Sequence, residues 1–440
     1  MFEGRSCLGP RVFSSSCQHE GSWGCMSFRL ELGIGSSKRP LDIDCEDEHR
    51  RRKASKLIGS EFCPQDDEYL PEESEDQDHS AEASDTHSLI PGIGRDNSIS
   101  CLIRCSRSDY GSIASLNTSF RSLIRSGELY KLRKQNGVIE HWIYFSCHLV
   151  EWQAFDPVRV RWIRLPRIID NEYVVFPDRE SLAVGTDLLV FTRDMITSSN
   201  IIYKYSILTN SWTSGMKMNV PRCLFGSASL GEIAILAGGR DPRGNTLSSA
   251  EMYNSETQEW ERLPDMNKPR TMCSGVFMDG KFYVIGGIGG DDSTKPKVLT
   301  CGEEFDLKTR TWTEIPNMSP ARGGGPETPA AAQAPPLVAV VNNELYAADY
   351  ADMEVRKYDK QERAWCTVGR LPERAASMNG WGVAFRACGD RLIVIGGPRA
   401  AGEGFIEVNA WAPREGPPQW NLLGRKRSSN FVYNCAVMGC

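Results

Sequence analysis

The sequence predicts an all-β six-bladed β-propeller at residues 140–440, preceded by a small all-α unit at 88–136 and a disordered amino-terminal segment at 1–87. The first observation behind this is a recurring pair: five times an aromatic residue is followed, after six intervening residues, by tryptophan. The pairs are Phe155/Trp162, Tyr205/Trp212, Tyr253/Trp260, Phe305/Trp312 and Tyr358/Trp365. A period of about 50 residues marks a repeat architecture. Trp420 falls one period further on, with Pro413 in the place of the aromatic and a proline-rich insertion separating it from Trp411. The second observation is that three apolar runs end in paired glycines, AILAGG at 234–239, FYVIGG at 282–287 and LIVIGG at 392–397. In the second and fifth repeats the equivalent positions read as Thr192/Arg193 and Ala347/Ala348.

Each repeat reads as four strands: an inner one such as 273–278, the strand ending in glycines, the strand carrying the aromatic, and the strand opening with tryptophan. Four-stranded units at this period mean a propeller, whose blades bury their faces against each other. The aromatics and tryptophans are therefore expected to pack between blades as core. Asp156, Asp306 and Asp359 directly follow repeat aromatics and are expected to cap the turn into the tryptophan strand. The first repeat lacks an inner strand, whereas SSNFVYNCAVM at 428–438 resembles one with nothing after it. Residues 430–438 are expected to complete the first blade and so remove an open sheet edge.

Composition bounds the rest. A chain of 440 residues with 40 % apolar content can build a sizeable core, and a net charge of -6 argues against a nucleic-acid partner. The fifteen cysteines form no CxxC pair, and Cys101 and Cys105 are spaced as core residues on one helix face, which suggests reduced thiols rather than a disulfide framework or zinc site. No apolar run approaches membrane-spanning length and no signal-peptide pattern opens the chain, so a soluble nuclear or cytoplasmic protein with no membrane partner is expected.

The first 87 residues carry an acidic stretch from Glu61 to Asp85 without Lys or Arg, too polar to offset its ordering entropy. Within them Lys38 and Arg39 precede Arg50, Arg51, Arg52 and Lys53 by ten residues, a spacing resembling a bipartite nuclear-import signal. A solvated charge cluster balancing Asp44, Glu46, Asp47 and Glu48 is the other reading.

From 88 to 136 apolar residues recur at helical spacing: Ile99, Leu102, Ile103, Ile113, Leu116, Phe120, Leu123, Ile124, Leu129 and Leu132. Asp96, Asp109 and Asn117 are candidate N-caps, and Gly111 and Gly127 are expected in turns. So short a unit should gain stability from a partner.

The glycine pairs, the aromatic-to-tryptophan spacing and endings such as Trp260-Glu261-Arg262-Leu263-Pro264 resemble kelch repeats. Leu89-Ile90-Pro91-Gly92-Ile93 resembles the opening of an F-box, and Ser119-Phe120-Arg121-Ser122-Leu123-Ile124 its end. Together they resemble the plant F-box/kelch-repeat proteins. Phe120 stands where many F-boxes have tryptophan, and Ile90 separates the opening Leu from Pro. The resemblance implies that the F-box docks on a Skp-type adaptor and so on a cullin ubiquitin ligase, while the propeller recruits the protein to be ubiquitylated. It points to Leu89, Ile90, Pro91, Ile93, Ile99, Leu102 and Ile103 as adaptor contacts, although some of these must form the F-box's own core.

All six histidines lie before residue 149, so triad chemistry or a histidine-ligated metal is not expected in the propeller, and the chain reads as a non-catalytic receptor without cofactor. Arg222, Arg270, Arg322 and Arg374 precede the inner strands and are expected around one mouth of the central channel, where forked guanidinium groups could bind a partner's carboxylate or phosphate. Each could instead salt-bridge a neighbouring blade. The loop at 321–336, rich in Ala, Gly and Pro, reads as disordered. A kelch scaffold that binds a partner without ubiquitylation is the competing reading, and a kelch-fold oxidoreductase a third that needs metal ligands.

Overall fold

The computed structural model describes residues 89–148, 151–168, 174–175, 180–194, 200–289, 297–320, 334–375, 377, 379–397, 404–428, 430–432 and 434–440. Six antiparallel sheets form the blades of a propeller. The third runs Gly226–Leu230, Ile233–Ala237, Ala250–Asn254 and Glu259–Leu263, from the inner strand outward. The fourth, fifth and sixth repeat this order beginning at Ser274, Val338 and Ala384. The second begins at Ser181, with the short strand Val174–Val175 added beside it. In the first blade the inner strand is Asn434–Gly439, which pairs antiparallel with His141–His148 from His141↔Gly439 to Ser146↔Asn434. Its inner position places it between the inner strands of the sixth and second blades, and the ring is continuous.

The pairs of aromatic and tryptophan sit directly opposite each other on the two outer strands of one blade, from Phe155↔Trp162 to Tyr358↔Trp365. Ring centroids lie 4.5 to 5.3 Å apart. The sixth pair differs from expectation: the partner of Trp420 is Trp411, 5.8 Å away, because a 3-10 turn at Pro413–Glu415 lengthens the connection. Four indoles also bind the preceding blade. The Nε1–H of Trp212 donates to the Pro166 carbonyl at 2.8 Å, Trp312 to Pro264 at 2.8 Å, Trp365 to Met318 at 3.2 Å and Trp420 to Arg370 at 2.7 Å. Each of these four tryptophans is thus packing on one side and a tie to the preceding blade on the other. Trp312→Phe keeps an aromatic ring but deletes the donor together with the pyrrole ring that carries it, and should cost at least about 1 kcal/mol in urea unfolding; an unchanged midpoint would remove this tie from the account.

Turn chemistry follows the aspartates. Asp156, Asp306 and Asp359 each accept from the backbone N–H groups two and three residues on, at 2.8 to 3.2 Å. Those donors hold the Asp306 and Asp359 carboxyls below the ordinary carboxylate range. Asn254 plays the same part in the third blade.

Register corrects one alignment. Leu345 lies opposite Tyr358 when the pairing Tyr346↔Lys357 is extended, so Asp349 and Tyr350, not Ala347 and Ala348, stand where other blades have paired glycines. The glycines are needed where they occur. Gly238 and Gly239 have φ of +70° and +96°, and a Cβ there would meet the Arg270 carbonyl at 2.4 Å and that of Cys223 at 2.6 Å.

The helical unit comprises α1 Arg95–Leu102, α2 Tyr110–Leu116, α3 Thr118–Arg125 and α4 Glu128–Gln135. Asn117 caps α3 through its side chain, accepting from Phe120 N at 2.8 Å. Asp109 precedes α2 without a side-chain cap bond, Asp96 lies inside the first turn of α1 behind Gly94, and Gly111 is within α2 rather than in a turn. Gly127 opens α4 at φ +79°. Cys101 is exposed and Cys105 is half-buried beyond the end of α1 at Leu102, so the two do not share a helix face as core residues. Among the described residues no helix is long and apolar enough to cross a membrane.

Candidate functional site

The helices do not hang from the propeller. Leu89, Leu102, Ile103, Tyr110, Phe120, Leu123, Ile124 and Leu129 form one core with Trp142, Tyr144, Trp152, Leu188, Tyr203, Tyr205 and Met438 of the first two blades. A polar junction sits within it. The fully buried Arg133 donates to the carbonyls of Ile103 and Cys105 at 2.9 and 2.5 Å and pairs with Glu140 at 3.1 Å. Arg107 donates to the Glu140 carbonyl at 3.0 Å and the Tyr144 hydroxyl at 2.9 Å, and stacks 4.4 Å from the centre of the Trp142 ring. Burial raises the Tyr144 phenol above its ordinary value, so it stays protonated beside Arg107. Glu140 in turn pairs through its backbone with Cys440, at 2.9 and 3.2 Å. Further out, Lys134 bridges to Glu232 at 2.8 Å.

These contacts define which face the helices occupy. Glu232, which Lys134 of α4 reaches, and Leu208, which lies against Gly127 at the start of α4, sit in tight turns linking the first strand of a blade to the second and the third to the fourth. Antiparallel order puts the longer connections, such as those from Ala237 to Ala250 and from Leu263 to Ser274, at the other end of the strands. The propeller therefore has a helix-bearing face and, opposite, a loop-bearing face.

Of the seven residues expected to contact an adaptor, Leu89, Leu102 and Ile103 are corrected: they are buried in the shared core and present nothing outward. Pro91 and Ile93 are exposed on a tight turn closed by Ile93 N to Ile90 O at 3.0 Å, and Ile90 and Ile99 are half-buried. Leu116 at the end of α2 is 71 % exposed and was not among the expected contacts. An apolar strip comprising Pro91, Ile93 and their neighbours remains on a unit otherwise committed to the propeller.

The arginines give the second correction. Arg222 and Arg270 do lie at the loop-bearing end, but their side chains are fully buried. Arg222 donates to the carbonyls of Gly238 and Ser249 at 2.9 and 2.6 Å and pairs with Glu251 at 2.7 Å, all in its own blade. Glu251 also accepts from the backbone N–H of Asn219 at 2.8 Å and Val220 at 2.9 Å. Arg270 repeats the arrangement with Gly286, Cys301 and Glu303, and Glu303 accepts from Asn267 N and Lys268 N. Both guanidinium groups are buried and braced between a loop and the glycine turn, so neither reaches the surface to contact a partner. The signal that could have shown this is a glutamate two residues before the repeat aromatic, present in the third and fourth repeats as Glu251 and Glu303. Arg322 and all of 321–333 lie outside the described residues, as do the basic residues Lys38, Arg39, Arg50, Arg51, Arg52 and Lys53. Arg374 falls in a 3-10 turn, Glu373–Ala375, with its side chain outside the described set.

Among the described residues no three His, Cys, Asp or Glu side chains converge to hold a metal ion. Burial pushes the Cys147 and Cys388 thiols up to about 12, which keeps them in the unreactive thiol form.

Comparison with known proteins agrees with this geometry. The Kelch motif matches residues 221–267 and 269–319, the third and fourth blades. The chain is similar to the F-box/kelch-repeat protein At1g26930 of Arabidopsis thaliana, 59 % identical over all of both chains. It is also 59 % identical to the F-box/kelch-repeat protein SKIP11 of the same plant, over 99 % of this chain and 98 % of that one. A third Arabidopsis relative, F-box/kelch-repeat protein At1g74510, is 54 % identical over the whole of both.

Proposed function

The chain belongs to the F-box/kelch-repeat proteins, and from that premise we propose that it is the substrate-recognition subunit of a Skp-cullin-F-box ubiquitin ligase. The helical unit binds a Skp-type adaptor, and the propeller binds the protein to be ubiquitylated. The observation that carries this reading is the seating of the helices: they share a core with the first two blades, turn Pro91 and Ile93 outward, and leave the loop-bearing face clear. Such a subunit contributes geometry and no reactive group. Holding a substrate lysine near a ubiquitin thioester makes transfer effectively intramolecular, and a fixed spacing between the two docking faces raises the effective concentration.

Full-length protein mixed with a purified Skp-type adaptor should form a complex by calorimetry, and Ile93→Asp with Ile99→Asp should weaken it by about tenfold or more, as loss of an interface anchor does. Leu422→Asp, at an exposed position on the outer strand of the sixth blade, should change nothing. Failure of the wild type to bind at about micromolar concentration would instead support a kelch scaffold acting without ubiquitylation.

The same proposal places the protein in the nucleus as well as the cytoplasm, through the basic clusters at 38–39 and 50–53. Changing Lys38, Arg39, Arg50, Arg51, Arg52 and Lys53 to alanine should shift a fluorescent fusion out of the nucleus. Unaltered nuclear signal would rule those clusters out.

A further inference from the structure

The outer strands of the sixth and first blades meet at a seam. Gly424 of Asn421–Ser428 lies against Phe155 and Trp162, where a Cβ would come within 3.0 and 3.1 Å. That close approach carries the next residue on the same face, Lys426, into the first blade: its ammonium donates to Gln153 Oε1 and lies 5.5 Å from the centre of the Trp162 ring. Arg164 is the strand partner of Gln153, so it stands on the same face beside Lys426.

Two cations are thus brought together, one exposed and one half-buried, and neither has an ion pair within the described residues. The carboxylate among the described residues whose charge acts on Lys426, Glu151, is paired with Arg167 at 2.6 Å. Burial first, and then the Arg164 charge, pull the Lys426 ammonium below its ordinary value. An edge strand is commonly guarded by positive charge, and this explains Arg425, which pairs with Glu407 at 3.4 Å and stacks 4.0 Å from Phe405 on the strand's other face. It does not explain a half-buried lysine held against an arginine.

We propose that this seam is a docking surface for an acidic peptide segment of a protein partner, in which Arg164 and Lys426 receive neighbouring carboxylates while Trp162 supports the chain between them. An incoming carboxylate removes the repulsion that the described residues leave standing. A nucleic acid fits less well: Glu151 and Glu407 flank the seam, and the whole chain carries a net charge of -6. The inference stands apart from the ligase reading, since an adaptor could fail to bind while the seam still captures an acidic segment.

The test is fluorescence anisotropy of the full chain with a labelled peptide of alternating Asp and Gly, beside a matched Lys peptide and a single-stranded oligonucleotide. Saturable, salt-sensitive binding of the acidic peptide is expected, weakened roughly five- to tenfold by Arg164→Gln with Lys426→Gln and little changed by Arg425→Gln. In the unaltered protein the acidic peptide should also slow acylation of Lys426, read by mass spectrometry, which decides the matter should the double variant fold poorly. Three outcomes overturn the proposal: no binding of the acidic peptide, equal loss with Arg425→Gln, or tighter binding of the oligonucleotide.

Discussion

A chain ending at Arg427 is expected not to fold cooperatively. It loses six backbone-paired positions along His141–His148, together with buried Val432, Cys435, Ala436, Met438 and Cys440. Two other losses compound this: the first blade keeps only three strands with an open inner edge, and Glu140 loses its backbone pairing with Cys440 at the helical junction. Together these losses are comparable to the about 5–15 kcal/mol that holds a typical domain folded. The truncate should be poorly soluble, bind a dye for exposed apolar surface, and show no single melting transition. A peptide of residues 428–440 added in excess should restore part of the native near-ultraviolet spectrum. A truncate that melts like the full chain would mean that the first blade closes without its last strand.

The second large effect is Glu251→Ala. Its carboxylate receives Arg222 and two backbone N–H groups in a site that water does not reach, so its removal strands a buried guanidinium. Breaking a buried pair from one side typically costs about 3–5 kcal/mol. Replacing both partners, by Arg222→Met with Glu251→Leu, should cost less than Glu251→Ala alone, because no charge is left without a counterpart. Urea unfolding of the two variants measures this, and equal losses would assign the cost to the backbone N–H groups instead. Glu303 should behave alike with Arg270.

The architecture was legible because its signal is local. An aromatic and a tryptophan seven positions apart face each other across one tight turn, so spacing alone reports a strand pair. Trp411 was missed for the same reason: the turn at Pro413–Glu415 changed the spacing while the ring contact stayed. The position of Asp349 and Tyr350 needed the register between two strands, which spacing does not contain. Arg222 and Arg270 looked like surface residues because arginine is rarely buried, and only the distant Glu251 and Glu303 make burial tolerable. On the helices the apolar stripe was plain, but its division between the propeller side and the outer side was not: Leu102 and Ile103 turn inward while Pro91 and Ile93 face out.

Because the helices share their core with Met438 and Cys440, a helical unit made early in translation cannot complete its core until those two residues have left the ribosome. A nascent chain carries its helical unit for most of translation without the surface against which that unit is built, and a polypeptide stalled in any of the later blades never completes it. Assembly with any partner that requires the finished helical unit is thereby deferred until Met438 and Cys440 have emerged.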